Sequence, residues 1–394
     1  MKIETAPYES RLKDLGNTVL LIPNRLLDIK DASPKMKSEP EKAFAVNKVA
    51  KELHPGTQDL VITEIEELSA DFKRFTFKVD GGKPVYFRAG QYLSFPIEVG
   101  NAVVTRAYSL SSSPVDAKNG FYQIAVKRVP DGFTSNFILD NWKVGDHVRA
   151  YAPEGTFVYE PLRDAKHLIG VAGGSGITPF LSLARALDAG IEDMNFTLLY
   201  GAKNKDELYF KDELDAIAKR CKKFNVVYVL SEAKRKAPGI ETGFIGADLI
   251  KQYAPKRAQY SIFACGPKAM YNFLGEEVKK LGLRKKFVRF ELQGAAANPA
   301  KKVETFKITV INRGAEQVIK AASNETVLVA LERAGVKVPV RCRSGECGFC
   351  RSKVVEGQFY IPEGQDFRRI ADGKFGYIHP CCAYPLSNMT IKIN

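Results

Sequence analysis

Three thiols in one short stretch, Cys342, Cys347 and Cys350, are spaced C-x4-C-x2-C, and the pair Cys381–Cys382 follows downstream. Thiolates at that spacing, three from one loop and a fourth from a distant turn, are how a plant-type [2Fe–2S] centre is held. Structural zinc favours two separated C-x2-C knuckles, and this chain has one x2 pair. A disulfide framework suits small secreted domains, whereas this chain has 394 residues and an odd seven cysteines. Ser344, Gly345 and Gly348 between the thiols suit a tight loop whose N–H groups point at sulfur. Side chains of neighbouring residues point apart, so Cys381 and Cys382 do not both reach one iron, and each stays eligible at this level. A cluster of this kind moves one electron at a time, so the chain must also hold an electron donor.

Three further stretches bear on that donor. The turn Gly173-Gly174-Ser175-Gly176-Ile177-Thr178-Pro179 follows the apolar run Leu168–Ala172 and precedes a helix-like segment. Backbone of that kind can approach a pyrophosphate, and the helix start presents unpaired N–H donors to negative charge. The spacing is not G-x-G-x-x-G, and a glycine turn at a strand–helix junction can also be simple geometry. In Arg106-Ala107-Tyr108-Ser109-Leu110 an extended strand would put Arg106, Tyr108 and Leu110 on one face and Ser109 on the other. Arginine pairs with phosphate and an aromatic ring packs on a flat heterocycle; an exposed arginine and a core tyrosine is the plainer reading. Cys265-Gly266-Pro267 after the apolar Tyr260–Ala264 is, taken alone, a buried cysteine and a turn.

The elements that must position these residues change character along the chain. Residues 1–56 carry mixed helix-like patterning with a Ser/Pro/Lys-rich interruption and no chemical signal. Residues 57–160 show short alternating runs such as Leu60–Thr63, Phe72–Phe77 and Tyr122–Val126, the pattern of an antiparallel sandwich or barrel. From His167, strand-like pieces (Leu168–Ala172, Asn195–Tyr200, Phe224–Leu230, Ile262–Ala264) alternate with helix-like ones (Pro179–Leu187, Asp206–Cys221, Lys268–Leu281), which predicts a parallel sheet with helices on both faces over residues 161–296. Ala295–Ala300 reads as a linker. In residues 297–394 the runs Phe306–Ile311 and Gln317–Lys320 flank a turn at Asn312-Arg313-Gly314, and a helix over Thr326–Ala334 leads into the cysteine loop.

Composition bounds the rest. A hydrophobic content of 45% with 26% charged residues describes a multi-domain globular chain. No apolar run reaches the roughly eighteen residues of a membrane span, and Met1-Lys2-Ile3-Glu4 does not open a signal peptide; a reduced, cytoplasmic setting is expected. The formal charge is +14. The basic residues are dispersed and no nucleic-acid motif accompanies them, so nucleic acid is not the expected partner. Phosphate-bearing cofactors and a redox protein with an acidic docking surface fit better, because such charge raises encounter rates with anions. Residues 301–394 share the bias, with 15 Lys and Arg against 9 Asp and Glu.

Together, Arg106-x-Tyr108-Ser109, Gly132-Phe133-Thr134-Ser135, Gly173–Pro179 and Cys265-Gly266-Pro267-Lys268-Ala269-Met270 resemble, in order and spacing, the ferredoxin–NADP reductase superfamily. With the C-terminal cysteines, residues 57–394 resemble its flavin–nicotinamide–ferredoxin fusions; the leader lies outside the resemblance. The implied fold is an antiparallel β-barrel flavin domain (57–160), an α/β parallel-sheet nicotinamide domain (161–296) and a C-terminal β-grasp ferredoxin domain (297–394). The implied function is electron transfer from NADH or NADPH through flavin and a [2Fe–2S] cluster to a protein acceptor such as an oxygenase. A reductase serving an anaerobic metalloenzyme and a non-catalytic redox sensor are the alternatives.

Residue by residue, Arg106 would bind flavin phosphate, Tyr108 would pack on the flavin ring, and Ser109 would lie near its N5 atom. Gly132, Thr134 and Ser135 would hold the pyrophosphate; Gly132–Phe137 looks more like FAD-using members than FMN-using ones. Gly173, Gly174, Ser175, Gly176 and Thr178 would receive the nicotinamide dinucleotide, and Cys265, Gly266 and Pro267 would line its nicotinamide side. Ser109 and Cys265 are thereby the side chains expected at the reacting centre. Cys381-Cys382-Ala383 resembles the family's C-x-A segment, which makes Cys381 the fourth cluster ligand beside Cys342, Cys347 and Cys350, and Cys382 a spare thiol. Two departures stand out. Gln293 occupies a position where many relatives carry an aromatic residue, and Lys203 with Ser231–Glu232 leaves NADH and NADPH both open.

Overall fold

A computed structural model describes residues 49–50, 55–100, 102–233, 238–291, 294 and 302–393. Most of the 1–56 leader, Gln293 and the expected Ala295–Ala300 linker lie outside the described residues. The compact unit from His54 to Asn394 contains three successive sheet systems, each with its own core.

The first is antiparallel. Strands β1 (Thr57–Ser69), β2 (Phe72–Val79), β5 (Tyr122–Lys127) and β6 (His147–Tyr151) form one sheet in the order β5-β2-β1-β6, and β3 (Tyr92–Val99) pairs with β4 (Ala102–Ser109) as a hairpin. Isolated bridges Tyr92–Glu154 and Leu110–Ile124 tie the hairpin to the sheet and give the barrel-like closure. Alternation works as expected: Leu60 and Ile62 point inward with Phe75, Phe77 and Phe95. Trp142 stands edge-on against the last two rings and Phe75, at centroid distances of 5.5–6.1 Å. Each buried ring contributes about 1.5–3 kcal/mol. Helices α1 (Pro114–Lys118) and α2 (Phe133–Asn141) flank the sheet.

The second sheet is wholly parallel: β7 (His167–Gly173), β8 (Asn195–Ala202), β9 (Phe224–Leu230), β10 (Ile240–Thr242), β11 (Tyr260–Cys265) and β12 (Val288–Phe290), ordered β10-β9-β8-β7-β11-β12. Strand β7 is buried on both faces, which explains its unbroken apolar run. Helices α3 (Thr178–Asp188), α4 (Lys211–Arg220), α5 (Ala247–Tyr253) and α6 (Lys268–Lys279) cover the faces. The chain reverses direction of growth between β7 and β11, and the crevice outside the C-terminal ends of those strands is where such sheets bind ligand. Gly173 and Cys265, which end the two strands, flank that crevice.

One expectation fails locally. The Asp206–Cys221 segment is not a single helix: a short turn at Lys205–Glu207 is followed by buried Leu208 and Tyr209, and Phe210 adopts φ +60° before α4 begins. Tyr209 is drawn against Phe72 of the first sheet at 4.5 Å, edge to face. Packing between the two sheets outweighs local helix preference there. Two hydrogen bonds reinforce the same seam: the buried Ser182 Oγ donates to Ser112 O at 2.6 Å, and the half-buried Arg185 Nη1 donates to Ser111 O at 3.0 Å.

The third sheet runs β14-β13-β19-β15-β17, from β13 (Thr305–Asn312), β14 (Ala315–Ala322), β15 (Ser352–Glu356), β17 (Tyr377–Ile378) and β19 (Met389–Ile393). Strands β16 (Phe359–Tyr360) and β18 (Tyr384–Pro385) form a separate pair. The β13–β14 hairpin turns at Arg313 (φ +51°) and Gly314 (φ +87°), the doubly left-handed turn that matches strand twist. Helix α7 (Val327–Arg333), capped by Thr326, packs its apolar face on this sheet, and α8 (Ile370–Lys374) precedes β17.

Candidate active site

One cavity of about 780 Å³ is lined by all three sheet systems: Arg106, Tyr108 and Ser109 at the end of β4; Gly132, Thr134 and Ser135 at the start of α2; Ser175 and Thr178 from the glycine turn; Glu291; and Cys342, Arg343 and Cys381 from the cysteine region. A comparably sized cleft beside Trp142 and His147 meets the sequence motifs only at Phe137.

At its barrel end the cavity is built for an anion. The Arg106 guanidinium is largely enclosed, donates to Thr105 O at 3.0 Å and has no carboxylate partner among the described residues. Its pKa is pushed down to about 10, first by burial and then by Arg343 across the cavity. Helix α2 starts at Gly132 without a side-chain cap, which leaves first-turn N–H groups available. Only glycine fits there, because a Cβ would stand 2.8 Å from Val129 O. The buried Thr134 Oγ1 has no hydrogen-bond partner among the described residues. An enclosed cation, open helix N–H groups and an orphaned hydroxyl fit a flavin's phosphates. Tyr108 pairs with Leu93 in the hairpin, and burial raises its hydroxyl pKa.

At the β7–β11 crevice the glycines divide their tasks. A Cβ on Gly176 would lie 2.2 Å from Cys265 O, and one on Gly173 would lie 2.7 Å from Met270 Sδ. Gly176 is therefore fixed by the backbone at the end of β11, while Gly173 is crowded by the Met270 and Pro267 side chains. Gly174, at φ +53°, faces open space and is the glycine whose backbone is free to meet a ligand. Cys265 is 1% exposed. The Tyr271 hydroxyl accepts from Gly266 N at 3.1 Å and donates to Glu291 O at 2.5 Å, locking this turn to Glu291. Gly173, Gly174, Gly176, Cys265, Gly266 and Pro267 flank the shared cavity rather than line it.

The cysteine loop gathers its sulfurs. Cys342 Sγ accepts N–H bonds from Ser344 (3.4 Å) and Cys347 (3.5 Å), and Cys347 Sγ accepts one from Phe349 (3.5 Å). The Cys347 and Cys381 thiols also donate to Cys342, holding it far below the usual thiol range, while Cys381 contacts Cys350. Gly345 and Gly348, at φ +86° and +69°, make the turns that aim these N–H groups inward. Cys382 touches Cys381, but its thiol donates to His379 O at 3.4 Å and lies against Gly345. No cysteine forms a disulfide. Among the described residues no three His, Cys, Asp or Glu side chains close on a single ion. Four thiols in one run of contacts, Cys347–Cys342–Cys381–Cys350, instead suit a two-iron cluster held by four thiolates.

Sequence reasoning missed several cavity residues. Tyr92 carried no local signal, while Arg343 reads in the sequence only as one of three basic residues around the cysteines. Glu291 keeps accessible surface on the cavity yet is otherwise enclosed by protein, and burial, then Glu346 and Cys342, raise its pKa well above the carboxylate range. The three arginines beside the cysteines are all paired: Arg341 with Glu154, Arg343 with Glu332, and Arg351 with Asp372.

Comparison with known proteins matches this geometry. Residues 59–159 match the family model for an oxidoreductase FAD-binding domain, 171–276 that for an oxidoreductase NAD-binding domain, and 310–386 that for a 2Fe-2S iron-sulfur cluster binding domain. The carnitine monooxygenase reductase subunit of Escherichia coli K12 is 30% identical over 303 residues, covering 76% of this chain and 87% of that protein. The glycine betaine monooxygenase reductase subunit of Chromohalobacter salexigens is 25% identical over 358 residues, covering 86% and 95%. Among solved structures, phthalate dioxygenase reductase, described as a modular structure for electron transfer from pyridine nucleotides to [2Fe-2S], aligns with a TM-score of 0.63 at 27% identity, covering 86% of this chain and 98% of that one.

Proposed function

Because the chain belongs to the ferredoxin–NADP reductase superfamily, as a flavin–nicotinamide–ferredoxin fusion, we propose that it draws a hydride from NAD(P)H and delivers the electrons singly to a separate oxygenase component. The observation that carries this reading is the cavity shared by the phosphate-ready β4–α2 corner, the glycine turn and two of the cluster cysteines. FAD supplies the conversion from a two-electron donor to one-electron steps, and the cluster carries single electrons. The net reaction balances as one NAD(P)H giving NAD(P)⁺, one proton and two one-electron-reduced acceptors.

In this reading Arg106, Gly132, Thr134 and Ser135 hold the flavin's phosphates, Tyr108 packs on its ring and Ser109 presents a hydroxyl at its reacting edge. The turn from Gly173 to Thr178 takes the dinucleotide with Gly174 as its approach point. Cys265, Gly266 and Pro267, braced by Tyr271, back the nicotinamide side. Cys342, Cys347, Cys350 and Cys381 ligate the cluster, and the loop N–H groups on Cys342 and Cys347 favour the more negative, reduced form. The charge of +14 fits an acceptor with an acidic docking face. Cluster thiolates and seven unbridged cysteines fit a reducing, cytoplasmic setting.

The test is a split between acceptors. Cys347→Ala holo-protein is expected to keep NAD(P)H-driven reduction of ferricyanide, which takes electrons from flavin, and to lose reduction of cytochrome c. Cytochrome c reduction at the native rate in that variant would refute the relay.

A further inference from the structure

The cysteine loop is fastened to the barrel at Arg341. The Arg341 guanidinium packs against two rings that also touch each other, 3.7 Å from the centroid of Phe349 in its own loop and 4.7 Å from that of Tyr151 at the end of β6, the two ring centroids being 6.4 Å apart. It also pairs with Glu154 of the barrel, Nη1 to Oε1, at 3.1 Å, a close ion pair that is poorly aligned as a hydrogen bond. Both charged side chains are about four-fifths hidden, at 18% and 21% exposure. Arg341 immediately precedes Cys342 and Phe349 immediately precedes Cys350, and both meet Tyr151, so this contact holds the loop at both ends of its ligand run.

The barrel side of the grip is itself tied to the flavin strand. Glu154 and Tyr92 exchange backbone hydrogen bonds of 3.0 and 2.8 Å, and Gly155 leaves just enough room for the Tyr92 ring. Tyr92 in turn pairs with Ser109 across the β3–β4 hairpin. A continuous path therefore runs Cys342–Arg341–Glu154–Tyr92–Ser109, from a cluster ligand to the strand that faces the flavin cavity. A planar guanidinium is suited to this place, since it packs on aromatic rings while also meeting a carboxylate.

We propose that Arg341 is a positioning residue for the relay: clamped by Tyr151, Phe349 and Glu154, it fixes the cysteine loop against the flavin strand and thereby sets how fast electrons pass between the two centres. The inference rests on the electron-transfer reading above. Without the clamp the loop keeps its sulfurs but loses its register on the barrel. Electron donation by NADH is untouched, and passage of each electron onward slows.

The experiment uses full-length holo-protein mixed with NADH without oxygen, following flavin bleaching and cluster bleaching separately. Arg341→Ala is expected to bleach flavin within twofold of the native rate and the cluster at least tenfold more slowly, with cluster iron content and midpoint potential unchanged. Tyr151→Leu and Glu154→Gln, which lie outside the cysteine loop, are expected to slow the cluster phase too. Arg341→Lys should recover the ion pair but not the stacking, and so only part of the rate. Hydrogen exchange of segment 147–155 in the cofactor-free chain should accelerate in Arg341→Ala. Native cluster bleaching in Tyr151→Leu and Glu154→Gln would overturn the proposal, as would a slowed rate fully accounted for by a shifted potential. Failure of NADH to bleach flavin in the native protein would instead sink the proposed function itself.

Discussion

Replacing Arg106 with alanine should cost the protein its grip on FAD through the phosphates alone. The guanidinium sits in a largely enclosed site, faces Arg343 and has no carboxylate partner among the described residues. A charge in that position is costly until an anion arrives. A charge-assisted hydrogen bond contributes about 1.5–3 kcal/mol, so Arg106→Ala should weaken FAD binding about 10- to 150-fold. Arg106→Lys should fall between, keeping the charge without the planar fork. The assay is titration of cofactor-free protein with FAD, read by flavin fluorescence, with riboflavin as the phosphate-free control. Riboflavin should bind native and variant proteins alike. The cofactor-free variant should also melt no lower than the native chain, because it no longer buries an unpaired cation. Equal loss of FAD and riboflavin binding, or no loss of FAD, would refute the phosphate argument.

Other outcomes follow from the same geometry. Cys381→Ser should abolish the cluster's visible absorbance while Cys382→Ser retains it, because only the Cys381 sulfur meets Cys342 and Cys350; the opposite pattern would exchange their roles. Gly176→Ala pushes a methyl group to 2.2 Å from Cys265 O and should destabilise the chain by about 2–3 kcal/mol or more, seen as a lower melting temperature with the cluster still bound. Asp193, paired with Lys166 and Lys223, has its carboxyl pKa pushed down to about 2 from 3.8. Its contribution to stability is therefore complete above the unfolded value near 3.8 and is lost as pH falls toward 2. Asp193→Asn should lower the melting temperature slightly at neutral pH, less in high salt, and least as pH falls to about 2, where the native carboxyl is half protonated, as checked by calorimetry.

What the sequence made visible was local. The C-x4-C-x2-C loop, the apolar β7 and the strand–turn–helix around Gly173–Pro179 are each written in consecutive residues, so spacing and periodicity sufficed. The site's remaining parts depend on partners far away in the chain. Nothing near Tyr209 announces that it packs on Phe72 and interrupts a helix. The glycines of the turn look alike in sequence, yet Gly176 is dictated by Cys265 and Gly173 by Met270, while Gly174 alone faces open space. Arg341 reads as one more basic residue until Glu154, Tyr151 and Phe349 are seen around it. Long-range contacts of this kind leave no periodic trace.

The most direct measurement is low-temperature electron paramagnetic resonance of the anaerobic holo-protein before and after NADH. The account predicts a silent oxidised cluster that gains the spectrum of a singly reduced [2Fe–2S] centre on adding NADH, in the native chain and not in its flavin-stripped form. A cluster that stays silent in the flavin-loaded native chain, or one that NADH reduces equally well without flavin, would contradict it.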